Sequence, residues 1–133
     1  APEGWHVPSD AEWTTLENYL IANGYNYDES TTENKIAKAM ASITGWNSST
    51  NEGAVGNNQS LNNDSGFNAV PEGYRVNNGS FYNEGDDAFF WSSTELDTNY
   101  AWYRSLNVNF SDLNRSSVYG SKRLGFSVRF VRD

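Results

Sequence analysis

The segment Ala88–Glu95, with the sequence AFFWSSTE, constrains the fold more than any other part of the chain. It places three aromatic residues in succession, Phe89, Phe90 and Trp91, between a small residue and hydroxyl-bearing ones. Because successive side chains of a strand point to opposite faces, this run predicts a strand that is buried on both faces. Such a strand needs protein above and below it, and we expect it to lie at the centre of the core.

Two later segments indicate further strands around this one. In Gly125–Arg132, the residues Phe126, Val128 and Phe130 occupy alternate positions, as expected when one face of a strand is buried. The segment Ala101–Leu106 is also short and rich in aromatic residues, which favours a strand. Strands late in the chain and helical patterns early in it predict an α+β fold.

The first helical pattern is well marked at both ends. Ser9 and Glu12 have the spacing of a capping box, and apolar residues at helical intervals follow from Trp13 to Leu20. The dipeptide Asn23-Gly24 is a typical helix end. We therefore predict a helix that begins after Ser9 and ends near Asn23-Gly24.

A second helix is predicted to begin near Thr32 and to end before Gly45. Its inner face would carry Ile36, Ala37, Met40 and Ile43. A long polar loop follows at residues 47–65. Loops of that length are usually functional or held by an ion.

Length and composition limit the class of protein. The 133 residues are predicted to form a single domain over residues 1–133 with a sizeable core. Aromatic residues make up 15% of the chain, so rings are expected to supply much of that core. The formal net charge of -8 disfavours nucleic acid and anionic membranes as partners. No segment contains an uninterrupted run of about twenty apolar residues, the length that a membrane-spanning helix requires. The chain also contains no cysteine.

Four segments, in order along the chain, resemble one protein family. They are Gly4–Trp13 (GWHVPSDAEW), Ser65–Arg75 (SGFNAVPEGYR), Phe90–Glu95 (FWSSTE) and Gly125–Arg129 (GFSVR). On these segments the chain is identified as a member of the Fibrobacter succinogenes major paralogous domain family, which is common on secreted and surface proteins of Bacteroidetes. The resemblance covers essentially the whole chain.

This family in turn resembles the C-type lectins and the formylglycine-generating enzyme in fold. That resemblance implies two helices packed on a small, twisted, mostly antiparallel sheet with long loops. Family members often carry two cysteines at places where this chain has Ala1 and Phe130. The resemblance therefore implies that both halves of a disulfide bridge are absent together.

The layout also resembles the variable proteins of diversity-generating retroelements, which display a hypervariable patch on a C-type lectin fold. In those proteins the patch lies between a Trp-Ser-Ser motif and a closing Gly-Phe-x-Val-Arg strand. Adenine-directed mutagenesis of Asn codons does not produce Lys, Glu, Gln, Met or Trp. Between Leu96 and Leu124 only Trp102 and Lys122 belong to that group. The resemblance implies a variable patch within Leu96–Leu124, in a protein of a bacterium or a phage.

No arrangement of residues in the sequence favours catalysis. His6 is the single histidine, and we interpret it as a hydrogen-bonded structural imidazole. No serine lies in a Gly-x-Ser-x-Gly motif, and without cysteine the chemistry of the formylglycine-generating enzyme has no nucleophile. The chain is predicted not to be an enzyme and to need no cofactor.

Acidic residues in loops are the candidates for a bound ion. Glu84, Asp86 and Asp87 lie in one turn, and Asp64 follows two asparagines in the long loop. Oxygen ligands of this kind suit calcium. The Glu-Pro-Asn and Trp-Asn-Asp motifs of sugar-binding C-type lectins are missing. We interpret these acids as solvated turn residues, with calcium as the alternative, and assign no metal ligands.

The last third of the chain has the composition of an adaptable binding surface. Tyrosine rings supply rigid contact area there, and the Ser and Asn residues between them supply hydrogen bonds. The predicted binding face lies in Leu96–Tyr100, Ser105–Ser111 and Asn114–Leu124. Its candidate residues are Leu96, Thr98, Tyr100, Tyr103, Ser105, Asn107, Asn109, Ser111, Asn114, Ser116, Ser117, Tyr119, Ser121 and Leu124.

The chain is accordingly predicted to be a non-catalytic ligand-binding or display domain of a secreted protein, a cell surface or a phage particle. Its partner would be an extracellular protein or glycan, with no contact to nucleic acid and no direct membrane insertion. The alternative is a structural or spacer module of a larger cell-surface protein with no ligand of its own. Burial of the rings of Tyr100, Tyr103, Phe110 and Tyr119 would favour core packing over a binding face.

Trp91 provides a test of the central strand. Replacing Trp91 by alanine removes a large ring from the predicted core, so we expect the free energy of unfolding to fall by about 3–5 kcal/mol. Chemical denaturation of the wild type and of Trp91→Ala, followed by circular dichroism, measures the difference. An unchanged melting temperature would show that Ala88–Glu95 is not the central strand.

Overall fold

A computed structural model describes residues 1–133 and contains two α-helices, one 3₁₀ helix and seven short strands. In chain order these are β1 (Trp5–His6), α1 (Asp10–Ala22), α2 (Ala37–Met40), the 3₁₀ helix (Gln59–Leu61), β2 (Tyr74–Arg75), β3 (Phe81–Tyr82), β4 (Asp87–Glu95), β5 (Ala101–Asn107), β6 (Asn114–Ser116) and β7 (Val131–Arg132). The strands form three antiparallel sheets, β1–β7, β2–β3 and β4–β5–β6. The α+β class predicted from the sequence is confirmed.

Helix α1 begins as its sequence predicts. The Ser9 hydroxyl oxygen accepts a hydrogen bond from the backbone N–H of Glu12, and the Glu12 carboxylate accepts one from the backbone N–H of Ser9. This completes the capping box. Trp13 and Leu20 are buried on the inner face, and Asn23 is the C-terminal cap. Neither α1, with 13 residues, nor the shorter α2 is long and apolar enough to cross a membrane.

The second predicted helix is wrong over most of its length, because α2 covers only Ala37–Met40. The buried Asn26 side chain explains the loop that precedes it. Its amide group donates to the carbonyl oxygens of Thr32 and Glu33, and its oxygen accepts from the backbone N–H of Lys35. A helix would need these backbone groups for its own hydrogen bonds, so the side chain competes with it.

The inner face predicted for this helix is correct only in its first part. Ile36, Ala37 and Met40 are fully buried, whereas Ile43 is 51% exposed. Ala41 leaves the helix in an extended conformation and forms a bridge with Ala69. The chain has therefore turned away before it reaches Ile43.

Strands β4 and β5 lie at the centre of the molecule. They pair in antiparallel fashion, with Phe90 opposite Arg104 and Trp91 opposite Tyr103. One face of the pair packs on α1, where the ring of Phe90 lies 5.9 Å from that of Trp13 between centroids. Because residues alternate along each strand, Trp91 and Tyr103 point to the opposite face.

A second layer of aromatic rings covers that opposite face. Phe126 stacks on Phe89 at 4.8 Å and on Trp91 at 4.3 Å between ring centroids. Tyr74 and Tyr103 meet Phe126 edge to face. The central strand therefore has protein on both faces, although Phe89 and Trp91 are only half-buried.

The C-terminal segment contains less regular strand than its sequence predicts. Only the two residues of β7 are in a ladder, and Gly125 and Ser127 form isolated bridges. Val128 and Phe130 are 43% and 40% exposed, so Phe126 alone of the predicted apolar face packs inside. The predicted buried face is therefore wrong for Val128 and Phe130, because the segment has too few strand neighbours to cover them.

Strands β1 and β7 pair near the two ends of the chain, and His6 ties them to α1. Its Nε2 lies 2.8 Å from Glu12 Oε1, and its Nδ1 lies 2.7 Å from Asp133 Oδ1. The hydrogen bonds to Asp133 and then Glu12 raise the pKa of His6, since both ring nitrogens can donate only when the ring is protonated. Hydrogen bonds from the backbone N–H of Ser9, the larger effect, and from the His6 ring lower the pKa of Glu12 to about 2. Trp5 is 45% exposed in this ribbon.

A buried ion pair connects α1 to the central sheet. Arg104 in β5 is fully buried, and its guanidinium donates to the Asp10 carboxylate at 2.6 Å and to Thr14 Oγ1 at 3.1 Å. Arg115 donates to the same carboxylate from the surface. The hydrogen bonds from Arg115 and Arg104 lower the pKa of Asp10, against the opposing effect of its burial. Glu17 lies 3.8 Å from Arg104 Nε, and burial raises its pKa.

Removal of Asp10 tests the importance of this pair. Asp10→Ala leaves the buried Arg104 without its carboxylate, so we expect the free energy of unfolding to fall by about 3–5 kcal/mol. Asp28→Ala is the matched control, because Asp28 pairs with Lys35 at the surface and its removal should change stability little. Chemical denaturation of both variants measures the difference, and equal losses would contradict the role assigned to burial.

The raised pKa of His6 predicts a dependence of stability on pH. The folded value lies above the ordinary value of 6.5, so the stabilisation is complete below pH 6.5 and is lost as the pH rises through the folded value. We expect the melting temperature of the wild type to fall over that interval, and that of His6→Gln to fall less. Thermal unfolding at a series of pH values measures this. Parallel curves for the two proteins would show that His6 does not contribute.

Candidate functional site

The aromatic layer over β4 and β5 forms the floor of a surface pocket of about 500 Å³. The floor residues are Tyr74, Phe89, Tyr103 and Phe126. Backbone pairing brings together the parts of the floor that are distant in sequence. Arg75 and Gly125 exchange two N–H to carbonyl hydrogen bonds of 2.9 and 2.8 Å, which places Tyr74 beside Phe126.

Residues from the last third of the chain form the rim of the pocket. They are Tyr100, Val118, Tyr119, Ser121 and Leu124. Tyr100 forms a backbone bridge with Ser121, and the N–H of Ala101 donates to the carbonyl of Gly120 at 2.9 Å. A Cβ atom at Gly120 would lie 2.2 Å from the carbonyl oxygen of Ala101, so only glycine permits this approach. The rim is thereby fixed to the start of β5.

The pocket lining is apolar and carries no charged side chain. Nine of its 11 residues are hydrophobic, and Asn83 and Ser121 are the other two. Tyr74, Tyr100 and Tyr119 add phenol groups to this surface. A concave, mainly apolar site of this size with a few polar groups is typical of ligand sites. It offers a ligand burial and ring contacts rather than ion pairs.

Five of the predicted binding residues line this pocket. They are Tyr100, Tyr103, Tyr119, Ser121 and Leu124. Tyr103 contributes from the floor, since only 3% of it is exposed, whereas Tyr119 is 76% exposed. Tyr100 and Phe110 are 38% and 60% exposed, so of the four rings in question only Tyr103 is buried. Leu96 and Thr98 lie in the exposed turn that precedes Tyr100.

Three predicted residues lie at the opposite end of β5. Asn107, Asn109 and Ser111 are separated from Tyr100 by the length of that strand, roughly 20 Å at about 3.3 Å per residue. Their neighbours are different as well, because the Asn51 side chain donates to the carbonyl of Asn109 at 2.9 Å. The fourteen candidates therefore do not form one continuous face.

The remaining four belong to the pairing of β5 with β6. Ser105 and Ser117 are buried, at 7% and 9% exposed, and Asn114 donates from its side chain to the Ser105 hydroxyl at 3.2 Å. Ser116 lies opposite Tyr103 in the ladder. The hydroxyls of Ser105 and Ser117 are thus enclosed by the sheet and its turn, and the structure does not present them to a ligand.

Sequence reasoning missed several residues of the lining. They are Tyr74, Val76, Asn83, Phe89, Phe126 and Val118, the last of which lies within the predicted segment Asn114–Leu124 but was not a candidate. Two signals were present for part of this set. Tyr74 and Val76 are two positions apart in a short hairpin, and Phe89 must face away from its buried neighbour Phe90. Only the bridges between distant segments bring these residues to the same place.

Two of the four acidic residues considered for calcium, Asp86 and Asp87, accept hydrogen bonds from asparagine side chains. Asp87 is buried in β4 and accepts hydrogen bonds from the side chains of Asn83 and Asn107, so its interpretation as a solvated turn residue is wrong. Burial raises the pKa of Asp87 despite these contacts. Asp86 accepts from the side chain of Asn47. No three acidic or histidine side chains are grouped so as to hold a metal ion, and calcium binding stays a prediction.

Comparison with known proteins identifies one family. The family model described as the Fibrobacter succinogenes major domain matches residues 1–132. No curated protein and no solved structure gives a significant match. The matched region contains both the floor and the rim of the pocket.

Proposed function

The chain belongs to the Fibrobacter succinogenes major domain family, and we propose that it is a non-catalytic recognition domain with a C-type-lectin-like fold. The proposed ligand is a protein or glycan met outside the cell or on a phage particle, and it binds in the aromatic pocket. One observation carries the proposal. Five residues of the predicted binding face meet in one concave site with Tyr74 and Phe89, which lie much earlier in the chain.

The exposure of the rim supports this proposal. Val118 and Tyr119 are 71% and 76% exposed, next to a floor of packed rings. Large apolar side chains that are grouped on a surface mark interaction sites more often than isolated ones do. Tyrosine is also enriched among the residues that contribute most to binding energy. The free energy of burying these side chains is available to a ligand.

The chemistry of the lining favours an apolar group of a protein over a sugar. A pyranose ring can stack on tyrosine, but its hydroxyl groups need hydrogen-bond partners when they are buried. Apart from phenols, the lining supplies only Asn83 and Ser121 for that purpose. An aromatic or branched aliphatic side chain needs no such partners. The net charge of -8 further favours a basic partner through long-range attraction.

Tyr119→Ala tests the pocket directly. N-acetyl-L-tryptophanamide serves as an aromatic probe, and we expect it to shift the amide NMR signals of rim and floor residues. The variant should bind the probe about tenfold more weakly, a loss of about 1.4 kcal/mol, and its melting temperature should not change because the ring is exposed. Tyr19→Ala is the matched control, since Tyr19 is 59% exposed on α1 and lies outside the pocket.

A sugar probe separates the two ligand classes. If methyl β-glucopyranoside shifts the same signals at lower concentration than the tryptophan amide, the ligand is a glycan. Equal binding of the aromatic probe to the wild type and to Tyr119→Ala would exclude the rim from the site. If neither probe shifts signals of the lining, the domain is better described as a spacer module without a ligand of its own.

A further inference from the structure

The polar loop at residues 47–65 is organised around one lysine. Lys38, in α2, extends to the loop, and its ammonium group donates to the carbonyl oxygen of Asn57. The carbonyl oxygens of Ala54 and Asn58 lie 3.4 Å from the same nitrogen. Burial lowers the pKa of Lys38, and no carboxylate opposes that effect. The charge is therefore balanced by backbone carbonyl groups alone.

A cation at this point accounts for the arrangement of the three carbonyl groups. Carbonyl oxygens carry partial negative charge, so three of them directed at one position repel each other unless a positive charge lies between them. Asn58 adopts the left-handed conformation, with φ 52° and ψ 60°, directly before the 3₁₀ helix. Asparagine enters that region more readily than most other non-glycine residues, and its surroundings select it here. The ammonium contributes to this selection by donating hydrogen bonds to the convergent carbonyl groups.

We propose that residues 54–58 form a cation-binding loop whose cation is the Lys38 ammonium. The site is a monovalent cation site. Three neutral oxygens without a carboxylate lack the negative charge that calcium sites provide, whereas backbone carbonyl groups are the ligands that coordinate K⁺ in selectivity filters. The carbonyl oxygens of Ala54, Asn57 and Asn58 form a cage around the ammonium group. Potassium and ammonium ions are the class of ligand that this cage takes when the lysine side chain is removed. The proposal is independent of the aromatic pocket.

Other contacts keep the loop attached when the lysine is truncated. The buried Asn62 side chain donates to the carbonyl oxygens of Ser42 and Val55 at 3.0 and 3.1 Å. Gln59 and Trp46 exchange two hydrogen bonds of 3.0 Å between the Gln59 amide and the Trp46 backbone. Neither contact uses the carbonyl oxygens of Ala54, Asn57 or Asn58. Lys38→Ala therefore empties the cage and leaves the rest of the loop anchored.

Chemical rescue of Lys38→Ala tests the proposal. In choline chloride, whose cation is too large for the cage, we expect at least about tenfold faster exchange of the N–H groups of Asn57 and Leu61 than in the wild type, as local opening becomes easier. These two N–H groups donate to the carbonyl oxygens of Ala54 and Asn58, which the ammonium also contacts. Potassium, ammonium or methylammonium chloride at the same ionic strength should restore slow exchange. The wild type should show no such difference between salts.

Two control variants isolate the effect. Lys38→Met keeps an apolar stem in the cage without a charge, so its loop should exchange fast in every salt. Lys35→Ala removes a surface lysine that pairs with Asp28, and its loop should behave like that of the wild type. Wild-type exchange rates in Lys38→Ala in choline chloride would overturn the proposal, as would fast exchange that potassium and ammonium ions do not slow. If Lys38→Ala does not fold, fast exchange confined to the loop of Lys38→Met supports the proposal and unchanged exchange overturns it.

Discussion

The arrangement of α1 on the central sheet depends on the ion pair between the buried guanidinium of Arg104 and the carboxylate of Asp10. A charge removed from water must be paired, and Arg104 finds its partners in Asp10 and Thr14 on the first turns of α1. Hydrophobic packing has no direction of its own, whereas this pair fixes where α1 lies along β5. Because neighbouring residues of a strand face opposite ways, Arg104 turned towards α1 directs Tyr103 to the other side. The ion pair thereby decides which rings form the pocket floor.

Floor and rim of the pocket differ in how much they stabilise the fold. Tyr103 is 3% exposed, and Phe126 is stacked between other rings, so changes at either remove core contacts. Val118 and Tyr119, at 71% and 76% exposed, make few contacts whose loss would destabilise the chain. The residues most available to a ligand are thus those least needed for folding. This separation would allow the proposed binding surface to change while the frame remains intact.

Local signals in the sequence predicted what local interactions build. The capping box at Ser9 and the run of rings in β4 depend on neighbours in sequence, and both were predicted correctly. The prediction of the second helix was wrong because the Asn26 side chain, several residues earlier, donates hydrogen bonds to the carbonyl groups of Thr32 and Glu33. The same difference between local and distant contacts explains why only part of the pocket was predicted. Its rim lies in one stretch of sequence, but Tyr74 and Phe126 reach the floor through a backbone bridge that no local pattern encodes.

Loops hold this structure together as much as helices and strands do. Of 67 hydrogen bonds between backbone groups, 43 lie outside the regular elements. Buried backbone groups of the loops that have no backbone partner need a side chain as their partner. Asn26, Asn62 and Lys38 supply them, which gives the polar composition of the early loops a structural cause. Loops fixed in this way behave as rigid elements. The backbone bridge between Tyr100 and Ser121 fixes the pocket rim in the same way. A ligand in the proposed site would therefore meet a surface that is already ordered, and its binding would cost little conformational entropy of the protein.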